Sequence, residues 1–127
     1  MFKALLPSAT AAFALLLTPT AAHAHAKLVA SSPTANATVS KVTSVNLTFN
    51  EKLTASTVKA ELVMTGMPGM ANHAPMRMPT TAKMGKDGKS MTLLLKRALV
   101  PGTYQVKWSG AGADAHRMGG EFGFTVK

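Results

Sequence analysis

From residue 25 onward, apolar and polar residues alternate over short runs that are separated by turn-forming residues. A period of two is typical of strands that bury one face, because successive side chains point to opposite sides of a sheet. The alternation predicts strands at 27–31, 44–49, 59–64, 77–84, 90–95, 102–108 and 121–126. No segment carries a convincing helical period. The pattern therefore predicts an all-β domain of about seven strands, an antiparallel β-sandwich or barrel.

Two local signals support this prediction. Asp87 and Gly88 stand between two predicted strands, and Asp-Gly is a strong signal for a β-hairpin. In the strand at 102–108, Tyr104, Val106 and Trp108 fall on one face. We expect that face to be buried, so that the single tryptophan is a core residue.

Residues 1–24 have the features of a secretory signal peptide. Lys3 gives the positive start, the run at 13–17 (FALLL) the apolar centre, and Ala22-His23-Ala24 a small-x-small cleavage site. The apolar run is too short for a membrane anchor, which needs about 20 apolar residues. We expect a domain at 25–127 that begins at His25 and resides in the periplasm.

The composition narrows the classes of function. The chain has no cysteine, so thiolate is excluded as a ligand or nucleophile, and stability must come from packing. One of the 14 basic residues and none of the 5 acidic ones lie in the signal, which leaves a net charge of 13 − 5 = +8. The lysines are scattered and are not interleaved with aromatic residues, which argues against nucleic-acid binding.

The segment 64–78 (MTGMPGMANHAPMRM) concentrates five of the nine methionines in fifteen residues. Pro68 and its flanking glycines oppose a helix, so the segment is predicted to be a loop or an irregular strand. Thioether sulfur is soft and selects Cu(I), and imidazole is compatible with the same ion. The candidate ligands are Met64, Met67, Met70, His73 and Met76; Met78 has no assigned role. The alternative is a hydrophobic loop that binds a protein partner.

A second candidate site combines the new N-terminus with a distant triplet. After cleavage, His25 would carry a free α-amine and an imidazole, a chelate that suits Cu(II). Asp114 and His116 offer a carboxylate and an imidazole two residues apart, on one face if the segment is extended. A surface histidine in a polar loop would have the same local sequence.

The sequence resembles the CopC family of periplasmic copper-resistance proteins over nearly all of the chain after residue 24. The resemblance is carried by the segments 25–29 with Ser32-Pro33, 47–51, 64–70, 102–108 and 114–116. It implies a Greek-key fold, cupredoxin-like or immunoglobulin-like, with a Cu(II) site at one end and a Cu(I) site at the other. The implied Cu(II) ligands are His25, Asp114 and His116, with Glu51 as a further oxygen donor; those for Cu(I) are the residues of the methionine segment.

The expected function is that of a periplasmic copper carrier in copper homeostasis and resistance, not an enzyme. The resemblance also implies a CopD-type inner-membrane permease and a multicopper oxidase as partners. One alternative is a copper-dependent oxidative enzyme with a histidine brace, for which the sequence offers no aromatic docking platform. Another is a sandwich module that binds proteins through its methionines.

Overall fold

The computed structural model describes residues 26–70 and 74–127. The predicted signal peptide and the proposed ligands His25 and His73 lie outside the described residues. Nine strands and a single 3₁₀ turn, Ala55–Thr57, are present in the described ranges. The strands are β1 (Leu28–Ser32), β2 (Thr38–Val39), β3 (Ser44–Phe49), β4 (Lys59–Gly66), β5 (Met76–Met78), β6 (Thr80–Met84), β7 (Ser90–Leu95), β8 (Gly102–Ala111) and β9 (Arg117–Val126). The described residues contain no helix that is long and apolar enough to cross a membrane.

The strands form two sheets, with orders β1-β3-β7-β6 and β2-β9-β8-β4-β5. All pairs are antiparallel except β2 with β9, which is parallel. Neighbours such as β3 and β7, or β4 and β8, are distant in sequence, so the chain crosses repeatedly between the sheets. The all-β prediction is confirmed, and of its two forms the sandwich is present rather than a closed barrel.

The core lies between the sheets and is built by the predicted alternation. Tyr104, Val106 and Trp108 of β8 are buried, as expected, and meet the inward side chains of the facing sheet. The rings of Phe49 and Trp108 meet edge to face at 4.9 Å, and those of Tyr104 and Phe124 stack at 5.6 Å. Such aromatic pairs contribute about 1 kcal/mol beyond the burial of their area.

The predicted hairpin is confirmed between β6 and β7. Gly88 has φ of +69°, a conformation that favours glycine, and its N–H donates to the carbonyl of Gly85. The Asp87 carboxylate accepts the N–H of Lys89 at 2.9 Å, and this bond holds the pKa of Asp87 below its ordinary value.

One predicted strand, 77–84, is wrong as a single element. It is divided at Pro79 into β5, which pairs with β4, and β6, which pairs with β7 in the other sheet. Proline lacks the N–H that would continue either ladder, so the chain changes sheets there. The short β2 was also missed, because two residues are too few to show a period.

The last two strands are longer than predicted. β8 continues to Ala111, and β9 begins at Arg117 instead of residue 121. The glycines in this region suggested a loop, but they allow close packing: a Cβ at Gly120 would lie 3.0 Å from Nε1 of Trp108. Ten residues of β8 span nine steps of about 3.4 Å, so its two ends are about 30 Å apart.

Candidate metal centres at the two ends of the sandwich

One candidate centre is the turn between β8 and β9, which we call the histidine end together with the β3–β4 connection that packs on it. Nδ1 of His116 lies 3.4 Å from Oδ2 of Asp114, and both side chains are exposed. Oδ1 of Asp114 accepts the backbone N–H of His116 at 3.1 Å. Ala115 between them has φ of +61°. The two side chains meet, as predicted, but through a turn and not through an extended segment.

Glu51 lies at this same end. A Cβ on Gly112 would collide with Oε1 of Glu51, so the carboxylate rests directly against the start of the turn. Two hydrogen bonds hold the β3–β4 connection to β8: Thr54 N–H to the carbonyl of Ala111, and Ala111 N–H to Oγ1 of Thr57, both at 2.9 Å. Glu51 is therefore placed against the start of the turn that carries Asp114 by tertiary packing that the sequence did not reveal.

The beginning of the described chain is attached to the histidine end. The N–H of Lys27 donates to Oδ1 of Asn50 at 2.7 Å, and the N–H of Asn50 donates to the carbonyl of Lys27 at 3.0 Å. Ala26 is buried. The first described residues, Ala26 and Lys27, therefore lie beside the segment that carries Glu51.

Within residues 26–70 and 74–127, no three histidine or carboxylate side chains are close enough together to form a metal site. The described part of the histidine end therefore supplies a pair, Asp114 and His116, with Glu51 nearby. A complete set of ligands at this end would need a donor from outside the described ranges.

The second candidate centre lies at the opposite end of the sandwich, which we call the methionine end. Met67 and Met70 form a two-hydrogen-bond bridge, with N···O distances of 3.2 and 2.9 Å. Pro68 and Gly69 make the turn between them, and Gly69 has φ of +79°, as the third residue of a type II turn requires. This turn makes Met67 and Met70 cross-strand neighbours, so the spacing of three places two thioethers side by side.

The other methionines of the segment differ in exposure. Met76 pairs with Met64 across β5 and β4, and Met78 pairs with Leu62. Met64 is only 3% exposed, whereas Met67, Met70 and Met76 are 38%, 56% and 53% exposed. Met64 packs in the core and touches the start of β8, where a Cβ on Gly102 would lie 2.9 Å from its methyl carbon. Three of the four predicted methionine ligands are accessible, and Met64 as a ligand stays a prediction.

The two centres are separated by the length of β8, so the structure does not bring them together.

Part of the arrangement could have been read from the sequence, because Pro-Gly between Met67 and Met70 is a turn signal. The Lys27–Asn50 pair and the contact of Glu51 with Gly112 had no such signal, since both join segments that are distant in sequence.

Comparison with known proteins identifies the sequence family. Residues 28–127 match a sequence family described as the CopC domain. The chain belongs to the CopC family. It is 44% identical over 111 residues to copper resistance protein C of Xanthomonas campestris pv. juglandis, with 87% of each chain covered. It is 40% identical over 106 residues to copper resistance protein C of Escherichia coli, with 84% of each covered.

A solved structure supports the fold of this CopC-family chain. The crystal structure of PcoC, a methionine-rich copper resistance protein from Escherichia coli, superposes with a TM-score of 0.75 at 38% identity. The superposition covers 82% of this chain and all of the PcoC chain. The two-sheet sandwich is therefore the fold of the family.

The difference in burial between Met64 and Met70 predicts different effects of truncation. Met64→Ala should lower the free energy of unfolding of the metal-free protein by about 2–5 kcal/mol, because it leaves a cavity in the core. Met70→Ala should change it by about 0.5 kcal/mol or less, since it removes an exposed side chain. Urea unfolding of both variants measures this, and equal losses would contradict the placement of Met64.

Proposed function

We propose that this protein is a periplasmic copper carrier in copper resistance, which holds Cu(I) at the methionine end and Cu(II) at the histidine end. The observation that supports it best is that exposed thioethers and imidazole with carboxylate occupy opposite ends of one sandwich. Its relatives are named copper resistance proteins, which supports copper as the metal.

The donors of the methionine end suit Cu(I). Thioether sulfur is soft and neutral, and neither cysteine nor a carboxylate competes with it in this segment. The tight turn orients Met67 and Met70 before any metal binds, which reduces the entropy lost on binding. Met76 adds an exposed sulfur on the neighbouring strand, and His73 is the imidazole that we expect to contribute from the segment between them.

The donors of the histidine end suit Cu(II), which prefers nitrogen and oxygen ligands. His116 faces Asp114 through Nδ1, an arrangement in which the carboxylate orients the ring and Nε2 binds the metal. The predicted first residue, His25, would bring its α-amine and imidazole to the end at which Lys27 is attached. Glu51 is the candidate for an additional oxygen donor. This set would complete the pair that the described residues supply.

Carriage of copper is favoured over an oxidative enzyme with a histidine brace. An enzyme that acts on a polysaccharide needs an exposed aromatic platform, but Tyr104 and Trp108 are buried, as are Phe49 and Phe124. Phe122, the remaining aromatic residue in the described ranges, is half-buried. A carrier requires only binding and release, and the two ends offer these for different oxidation states. A CopD-type permease and a multicopper oxidase are the proposed recipients.

Removal of sulfur without loss of bulk tests the Cu(I) site. In the double variant Met67→Leu with Met70→Leu, Cu(I) affinity should fall by more than the roughly tenfold typical of changes around a metal site, because two ligands are lost. Met91→Leu, at a buried methionine outside the methionine segment, is the matched control, and its effect should be small. Competition with a chromophoric Cu(I) chelator under anaerobic conditions gives the affinities. A double variant that binds like the wild type would contradict the thioether site.

The Cu(II) site depends on His116 and on a free amine at residue 25. His116→Ala should change the electron paramagnetic resonance spectrum of bound Cu(II) and lower its affinity, because one nitrogen ligand is lost. One extra residue before His25 should do the same by converting the amine to an amide. Both variants should retain Cu(I) binding, which serves as the control. Spectra identical to that of the wild type would show that the ligands are elsewhere.

A further inference from the structure

The methionine end exposes Val100 and Pro101 in addition to the methionine segment. Met67 and Pro68 of that segment line one groove together with Pro101 and Lys127. Val100, bonded to Pro101, lines a second groove and is 54% exposed. We call the surface formed by Met67, Pro68, Val100 and Pro101 the apical patch. The two grooves adjoin at the Val100–Pro101 bond, and exposed apolar surface on a small protein commonly marks an interaction site.

Hydrogen bonds fix the backbone of the apical patch at Leu99 and Val100. The hydroxyl of Tyr104 donates to the carbonyl of Val100, and burial raises the pKa of Tyr104 above its ordinary value. The N–H of Leu99 donates to the carbonyl of Val42 at 2.9 Å. Because the backbone on both sides of the Val100 side chain is fixed, exposure of that side chain is a property of the fold.

The charges around the patch are all basic. Lys96 and Arg97 line the Val100 groove, Lys127 lines the Met67 groove, and all three are exposed. The sequence has five acidic residues, and the structure places every one elsewhere. Glu51 and Asp114 are in the connections of the histidine end, and Asp87 is in the β6–β7 hairpin, which is bonded to the same end through the N–H of Leu53 and the carbonyl of Gly88. Glu61 and Glu121 are cross-strand partners of Lys107 within the sheet. No carboxylate side chain lines either groove, so the acidic side chains all lie away from the patch.

We propose that the apical patch is a docking surface for a protein partner whose own surface is apolar at its centre and rich in carboxylates around it. An apolar centre with a charged rim is the usual anatomy of a specific protein interface. The basic rim would steer an acidic partner and suppress basic ones. The docking surface itself is argued without copper, whereas identifying the docked partner with the recipient of copper rests on the proposed function.

Two other occupants fit less well. A lipid surface would call for aromatic residues at the patch, but the aromatic side chains of the described ranges are buried or half-buried. A second copy docked end to end would place Lys96, Arg97 and Lys127 against their own equivalents. The histidine end of a second copy would not complement the basic rim either, because the acidic residues at that end are mixed with Lys52, Lys86 and Lys89.

The test uses metal-free protein purified from the periplasm and labelled with ¹⁵N. The probes are a monomeric amphipathic peptide that presents leucines flanked by glutamates, and the same peptide with glutamine at each glutamate. The glutamate peptide should shift amide resonances at 66–70, 96–101 and 125–127, and the glutamine peptide should bind about tenfold more weakly. Lys96→Glu with Arg97→Glu should weaken binding of the glutamate peptide by a similar factor. The matched control, Lys86→Glu with Lys89→Glu, makes the same charge change at the other end and should bind normally.

Several outcomes would overturn the proposal. These are shifts centred on the histidine end, equal binding of both peptides, or no effect of the Lys96 and Arg97 reversals. Binding to phosphatidylglycerol vesicles without binding to the glutamate peptide would assign the surface to lipid instead. Met70→Leu with Met76→Leu, which lie outside the apical patch, should lower Cu(I) affinity and retain peptide binding, and loss of peptide binding in this variant would also count against the patch. Failure of the Cu(I) site and failure of the docking surface are therefore separate results.

Discussion

The register of β8 is the constraint on which the rest of the sandwich depends. β8 pairs with β9 on one side and β4 on the other, and its inward residues Tyr104, Val106 and Trp108 fill the space between the sheets. A slip of one residue would turn all three outward. The same register places Gly102 beside the methionine segment and Ala111 beside the turn that carries Asp114 and His116. Burial of the core and separation of the two ends therefore have one cause.

The sequence predicted what depends on local pattern. Alternation located β3 and β7 at their observed bounds, Asp87-Gly88 located the hairpin, and the inward face of β8 was correct, because each of these depends on residues within a few positions. The described part of the methionine segment is not helical, as Pro68 and the adjacent glycines indicated. The meeting of Asp114 with His116 was also anticipated, although the turn that produces it was not.

Features that depend on tertiary structure could not be predicted in this way. An apolar residue within the methionine segment gives no sign of its exposure, so Met64, which ends in the core, could not be distinguished from Met67 and Met70. The break at Pro79 requires knowledge that two sheets are present. The contact of Glu51 with Gly112 and the attachment of Lys27 to Asn50 join segments that only the folded chain brings together. That the acidic side chains all lie away from the apical patch becomes visible only when each carboxylate has been placed in the fold.

The central claim is that one chain holds copper in two oxidation states through chemically different ligands at opposite ends. Copper K-edge X-ray absorption tests it most directly, on protein that begins at His25 and is loaded anaerobically with one equivalent of Cu(I). Sulfur should dominate the scattering around Cu(I), and after oxidation of the same sample nitrogen and oxygen should replace it, because the ion moves to donors that suit Cu(II). Nitrogen and oxygen scattering around Cu(I), or sulfur retained around Cu(II), would contradict the account.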